Sequence, residues 1–229
     1  SVNSLASEVN LWVSNQGGAI YNYQLCTTLV TDMSEIFLQK AVPSSLVIKN
    51  FDTSNVIDMN QMFKNSNSSR DLTYWDTSNV TDMSYMFLGS SNMLINTWDT
   101  SKVTTMKEMF LNNDRFNDNI SSWDVSSVTD MSSMFEYADE FNQPIGVWDV
   151  SNVTTMYRMF REAEKFDQNI GAWDVSNVTT MYRMFRCQVG NTNVFNNGES
   201  PDIGNWDTSS VTYMAYMFAS NIQFNQPLG

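Results

Sequence analysis

The chain has 229 residues, of which 42% are hydrophobic and only 16% are charged, and its net charge is −13 with no histidine. This negative charge disfavours nucleic acids and anionic membrane surfaces as partners, because both attract clustered lysine and arginine. The absence of histidine removes the commonest general base and the commonest transition-metal ligand. No run of 18 apolar residues occurs, so we expect no membrane insertion.

Residues 1–24 lack the pattern that fills the rest of the chain. Leu5, Val9, Trp12 and Val13 recur at the spacing of one helical face. The first unit of a repeat array would otherwise expose its apolar core to water. We therefore predict that residues 1–24 form a helical cap.

Residues 25–229 consist of eight copies of one unit, the first degenerate and the last truncated. An aromatic-Asp pair anchors the later copies at intervals of 23 to 25 residues, with one interval of 33 residues. The long interval holds an insertion rich in asparagine and glycine, which we interpret as a surface loop. The anchors are Phe51, Trp75, Trp98, Trp123, Trp148, Trp173 and Trp206.

Apolar residues occupy fixed positions within each unit. The segment from Ile120 through Trp123 to Val125 has the form of a leucine-rich-repeat strand, and the period lies within the range of that class. Met131, Met134 and Phe135 follow at the spacing of a helical turn. We therefore predict an α/β repeat solenoid, leucine-rich-repeat-like, with one short parallel strand and one short helical or 3-10 turn per coil. A WD40 propeller is excluded because its blades need about 40–45 residues.

The unit also resembles a known family of repeats. Residues 123–135, which read Trp-Asp-Val-Ser-Ser-Val-Thr-Asp-Met-Ser-Ser-Met-Phe, are similar to the BspA-like, DUF285-type surface-protein repeat, as are residues 141–151. The resemblance extends over residues 25–229, although the first two units are weak and the additional phenylalanine column begins only at Phe116. It implies a secreted or surface-anchored protein with a role in adhesion, and it does not identify a ligand.

An aspartate follows each anchor, and in register these carboxylates would lie about 4.8 Å apart. Two arrangements would offset their repulsion. The serine two residues later can donate hydrogen bonds to the carboxylate in an Asx-type turn. Alternatively, the column binds calcium, the one cofactor that the sequence suggests, although no known calcium-loop motif is present. The candidate calcium ligands are Asp99, Asp124, Asp149 and Asp174.

A threonine column runs parallel to the aspartate column. Such a column is usually a row of β-branched residues on a strand face. A flat, regular threonine ladder could instead order water and bind ice, which we keep as a minor variant. The column comprises Thr81, Thr104, Thr129, Thr154, Thr179 and Thr212.

One basic patch stands out on this acidic chain. Two consecutive units, 148–161 and 173–186, are nearly identical and hold four of the six arginines. Their spacing stacks equivalent tyrosines and arginines, the residue types enriched at binding hot spots. The alternative is that a duplication copied an ordinary solvated face. The candidate ligand-binding residues are Tyr157, Arg158, Arg161, Tyr182, Arg183 and Arg186.

These features favour a binding protein over an enzyme. The sequence holds no histidine, no G-x-S-x-G motif and no phosphate-binding loop, and repeated residues are usually structural. We expect a secreted or cell-surface repeat domain that recognises a protein or glycan, and a monomeric piece of a longer chain. The alternative is a structural spacer of a larger surface protein.

Overall fold

The computed structural model describes residues 27–42, 47–67, 69–190 and 193–228, so the predicted cap over residues 1–24 lies outside the described residues. Regular secondary structure is short, and turns and extended segments make up most of the chain. Strands β1 (Arg70–Asp71) and β2 (Met93–Leu94) pair in parallel. None of the described helices has the length and hydropathy that crossing a membrane requires. The 3-10 helices are Ile48–Asn50, Ile145–Val147, Asn197–Glu199 and Pro201–Asn205.

The repeats are joined in sequence order by a ladder of isolated parallel bridges. Each repeat contributes one residue, which pairs with its counterpart in the next repeat. The bridge from Thr180 to Tyr213 spans the insertion, so the extra residues leave the ladder intact. The ladder residues are Asp32, Asp58, Asp82, Thr105, Asp130, Thr155, Thr180 and Tyr213.

We call the segment after each bridge the Met–Phe turn. Its backbone N–H groups donate alternately to the next repeat and to the same repeat. In residues 131–137, every second N–H from Met131 to Tyr137 donates to a carbonyl of the next repeat at 2.7–3.2 Å. The N–H groups of Met134 and Glu136 instead donate to the carbonyl three residues earlier, both at 3.2 Å. Backbone groups in this buried segment are thereby paired, as buried backbone groups must be.

This alternation depends on residues with positive φ. Ser133 and Tyr137 have φ of 53° and 58°, in the left-handed region. A left-handed residue ends an α-helix, which explains why the segment forms successive turns although its apolar residues have helical spacing. Equivalent left-handed residues recur through the ladder: Glu35, Gln39, Gln61, Asn65, Tyr85, Gly89, Glu108, Asn112, Arg158, Glu162, Arg183, Tyr216 and Ser220.

The segment predicted as a strand, around Trp123, forms a turn. The Trp123 N–H donates to the Ile120 carbonyl at 3.1 Å, and the indole N–H donates to the Ile95 carbonyl of the preceding repeat at 3.4 Å. The indole thus links the repeats here, and the backbone bridge lies later, at Asp130. The solenoid class, with one strand and one helical turn per coil, stays a prediction.

Columns of stacked rings fill the space between the repeats. Phe110, Phe135, Phe160 and Phe185 follow one another with ring centroids 5.6–5.7 Å apart. Phe141 belongs to a second column and stacks 3.9 Å from Phe135. Burial of these rings supplies the apolar area that stabilises the repeats.

Candidate functional site

The six candidate ligand-binding residues, which we call the Tyr/Arg patch, lie in the Met–Phe turns of two neighbouring repeats. The bridge between Thr155 and Thr180 fixes their register. The predicted stacking of Tyr157 on Tyr182 is present, with ring centroids 5.3 Å apart and planes inclined by 22°. Both side chains are half-buried. Register and partial burial together give this part of the patch a fixed geometry.

Three of the four arginines lie over tyrosine rings, including Arg161, whose guanidinium is 4.9 Å from the centre of the Tyr137 ring. The Arg158 guanidinium is 4.8 Å from the centre of the Tyr157 ring and 5.9 Å from that of Tyr182. The Arg183 guanidinium is 4.8 Å from the Tyr182 ring centre and 5.3 Å from that of Tyr216. These distances fall within the range of cation–π attraction, which holds each guanidinium beside the rings.

Arg161 and Arg186 make the shortest ion pairs with two buried carboxylates. Arg161 forms an ion pair with Glu136 and lies 3.7 Å from Glu162, and Arg186 Nη1 lies 3.1 Å from Glu162 Oε1. The side chains of Glu136 and Glu162 are only 6% and 1% exposed. Removing either arginine would take away the nearest cation of a buried carboxylate, so we assign both a structural role.

Four residues of this environment were missed by the sequence analysis. Tyr213 continues the tyrosine stack at 4.7 Å from Tyr182, and Tyr216 meets Tyr182 edge-on at 6.2 Å. Both lie in other columns than Tyr182: Tyr213 is equivalent to Thr180 and Tyr216 to Arg183. Glu136 and Glu162 were also missed, although Glu136 precedes Arg161 by 25 residues and therefore occupies the same column. The 25-residue separation of Glu136 and Arg161 was therefore the sequence signal that could have predicted this ion pair.

The aspartate column forms the Asx-type turns that were predicted as one alternative. Each Oδ1 accepts hydrogen bonds from the backbone N–H and the hydroxyl of the serine two residues later, at 2.6–3.1 Å for Asp99, Asp124, Asp149 and Asp174. These hydrogen bonds lower the pKa of Asp99, Asp149 and Asp174. They stabilise the ionised form without a cation.

Calcium binding by this column stays a prediction. Carboxylate oxygens are the ligands that calcium prefers, so the chemistry of the four aspartates is suitable. Within the described ranges, however, no group of three or more histidine, cysteine, aspartate or glutamate residues is arranged to hold a metal ion. The hydrogen bonds already present on Oδ1 would compete with such an ion.

The threonine column forms its own hydrogen-bond ladder. The N–H and Oγ1 of Thr129 both donate to the Thr104 carbonyl, at 2.9 and 3.2 Å, and Thr154, Thr179 and Thr212 repeat the arrangement. The hydroxyl proton is therefore engaged within the protein. This contact gives the column a structural role in linking the repeats.

Comparison with known proteins identifies a family. The family model described as "Mycoplasma protein of unknown function, DUF285" matches residues 19–94, 88–197 and 190–229. No curated protein and no solved structure matches the chain. The matched segments together extend from residue 19 to the last residue, and the chain therefore belongs to the DUF285 family.

Proposed function

We propose that this chain is a binding domain, secreted or displayed on a cell surface, that presents the Tyr/Arg patch to a protein or glycan. The observation that carries the proposal is the tyrosine stack flanked by guanidinium groups, on a chain whose net charge is −13. Tyrosine and arginine are the side chains most often found at the energetic centres of interfaces.

The fixed geometry of the patch supports this function. The backbone N–H of Arg158 donates to the Tyr182 carbonyl at 2.9 Å, and that of Arg183 donates to the Ala215 carbonyl at 3.1 Å. Side chains held in place before binding lose less conformational entropy when a partner binds.

The repeats also provide a surface suited to recognition. We propose that they form a leucine-rich-repeat-like solenoid, since one bridge joins each repeat to the next along the described chain. Such arrays build elongated surfaces on which neighbouring turns contribute to one binding site.

A screen against immobilised glycans and intact cells tests the proposal. We expect the variant carrying Tyr157→Ala and Tyr182→Ala to bind about tenfold more weakly or worse, since hot-spot truncations cost more than about 1 kcal/mol. The matched control is Tyr74→Ala, because Tyr74 is 72% exposed and lies outside the patch. A thermal melt verifies that both variants are folded. Unchanged binding by the double variant would refute recognition at this patch.

A structural spacer is the second candidate function. The uniform bridge ladder and the continuous ring columns favour it, because both make the repeat array stiff. A spacer requires no ligand. It would be supported if the screen found no partner and if lengthening or shortening the array by whole repeats changed only the distance between flanking domains.

A further inference from the structure

The charges of the Tyr/Arg patch do not balance within the described residues. Glu136 and Glu162 are already paired with Arg161 and Arg186. Arg158 lies 3.8 Å from the same Glu136 oxygen that Arg161 contacts. In the part of the chain that the structure describes, no carboxylate lies within 4.0 Å of Arg183. The patch is therefore locally positive on an acidic chain.

The excess positive charge lies at the same position of two consecutive repeats. Arg158 and Arg183 occupy equivalent positions in consecutive repeats, with nearly the same backbone φ of 55° and 56°. Adjacent paired chains are about 4.8 Å apart. The stacked rings of Tyr157, Tyr182 and Tyr213, at intervals of 5.3 and 4.7 Å, accompany these guanidinium groups. A ligand that matches this surface carries anionic groups at regular intervals along a less polar backbone.

We propose that the Tyr/Arg patch binds an acidic polysaccharide through carboxylate or sulfate groups held by Arg158 and Arg183. This inference rests on the proposed binding function and names its ligand class. A guanidinium matches a carboxylate or sulfate with two parallel hydrogen bonds, and the tyrosines offer ring edges and hydroxyl groups to the sugars.

The net charge of the chain distinguishes among polyanions. A nucleic acid carries dense charge along its whole length, and the surrounding acidic surface would repel it. Carboxylates on a folded acidic protein recur at a constant interval only in a repeat such as the aspartate column of this chain, whose Oδ1 atoms are already engaged by serine. A polysaccharide with one acidic group per sugar unit has both the lower charge density and the regular interval that the patch requires.

The test compares four probes: polygalacturonate, chondroitin sulfate, neutral dextran and polyglutamate. Binding is measured by calorimetry at low and high salt. We expect patch-dependent binding of polygalacturonate or chondroitin sulfate, weakened by salt, and no binding of neutral dextran or polyglutamate. Arg158→Gln and Arg183→Gln should each weaken binding about tenfold, with Arg183→Lys intermediate.

The matched control is Arg115→Gln, which removes the same charge from an exposed position outside the patch and should leave binding unchanged. Thermal melts establish that the variants are folded. The inference is overturned if neither acidic glycan binds, if Arg183→Gln has no effect, or if polyglutamate binds equally well at the patch. If the acidic glycans fail while cell binding still depends on Tyr157 and Tyr182, the proposed function stands and only the ligand class is wrong.

Discussion

Each tryptophan of the anchor column joins two repeats by packing and by a hydrogen bond. Trp123 is 3% exposed, its indole N–H donates to the Ile95 carbonyl, and its ring lies 6.4 Å from that of Trp98 and 6.3 Å from that of Phe110. The side chain therefore fills core volume and satisfies a buried carbonyl at the same time.

We expect Trp123→Ala to lower the free energy of unfolding by about 3–5 kcal/mol, because it leaves a cavity and an unpaired carbonyl. Urea unfolding monitored by circular dichroism measures the change. The control is Tyr74→Ala, since Tyr74 is exposed. A loss below about 1 kcal/mol for Trp123→Ala would mean that the column contributes little to the core.

Asp139 is destabilising in its ionised form. Burial, followed by the nearby charges of Glu164, Asp114, Glu140 and Glu162, raises its pKa from 3.8 to about 6. Because the folded-state pKa is the higher one, the contribution of Asp139 to stability is fully present below pH 3.8 and is lost as the pH rises through about 6.

Asp139→Asn should therefore stabilise the protein at pH 7 and have little effect near pH 3.8. Since the carboxyl is only half-buried, solvent screening limits the gain to about 1 kcal/mol. The control is Asp99→Asn, which should not stabilise at pH 7, because hydrogen bonds from Ser101 lower the Asp99 pKa. Unfolding measured across this pH range tests both variants, and a pH-independent effect of Asp139→Asn would contradict the assignment.

The Met–Phe turn is the element that determines how neighbouring repeats meet. Its left-handed residues aim alternate N–H groups at the next repeat, and β-branched side chains tolerate that conformation poorly. Asn112 has φ of 56° and an exposed side chain. Substitutions at Asn112 therefore change the backbone preference of this position and leave the packing of the core nearly unaffected.

We expect Asn112→Val to destabilise the protein by about 1–2 kcal/mol and Asn112→Gly to be nearly neutral. The equivalent residue of the preceding repeat is Gly89, with φ of 60°, which supports the tolerance of glycine. Chemical unfolding of the two variants provides the comparison. Equal stability of the valine and glycine variants would indicate that residue 112 is not left-handed.

The sequence predicted which side chains are buried, because the apolar columns recur at constant spacing. Ile120, Val128, Met131 and Phe135 are all buried as the pattern required. The backbone conformation could not be predicted, since the left-handed positions are filled by residues such as Ser133 and hold glycine at only one place in the described Met–Phe turns, Gly89. The helical spacing of the methionines therefore favoured a helical turn, whereas the left-handed residues produce successive turns.

The candidate site was predictable to the extent that it follows the repeat. Stacking of Tyr157 on Tyr182 followed from their spacing. The different roles of Arg161 and Arg183 did not, because each depends on whether a buried glutamate lies in the neighbouring repeat. Tyr213 was missed because it is equivalent to Thr180, and therefore lies in another column than Tyr157 and Tyr182.

At the scale of the whole molecule, calcium would stabilise the repeat array only if it bound to the carboxylates of the aspartate column. The serine hydrogen bonds already compensate these carboxylates, so we expect the melting temperature to be the same in calcium and in chelator, within about 1 °C. Differential scanning calorimetry makes the comparison, with magnesium as the control ion. A rise of more than about 4 °C in calcium alone would establish a cation site.

Amide hydrogen exchange measured by NMR tests most directly whether the repeats are hydrogen-bonded in this register. The N–H groups of Met181, Arg183 and Phe185 donate to the last repeat at 2.9–3.1 Å, and we predict that they exchange slowly. The equivalent N–H groups of Met214 and Phe218 have no backbone acceptor within the described residues, and they should exchange rapidly. Rapid exchange at Met181, Arg183 and Phe185, or equal protection of both sets, would contradict the stacking of the repeats.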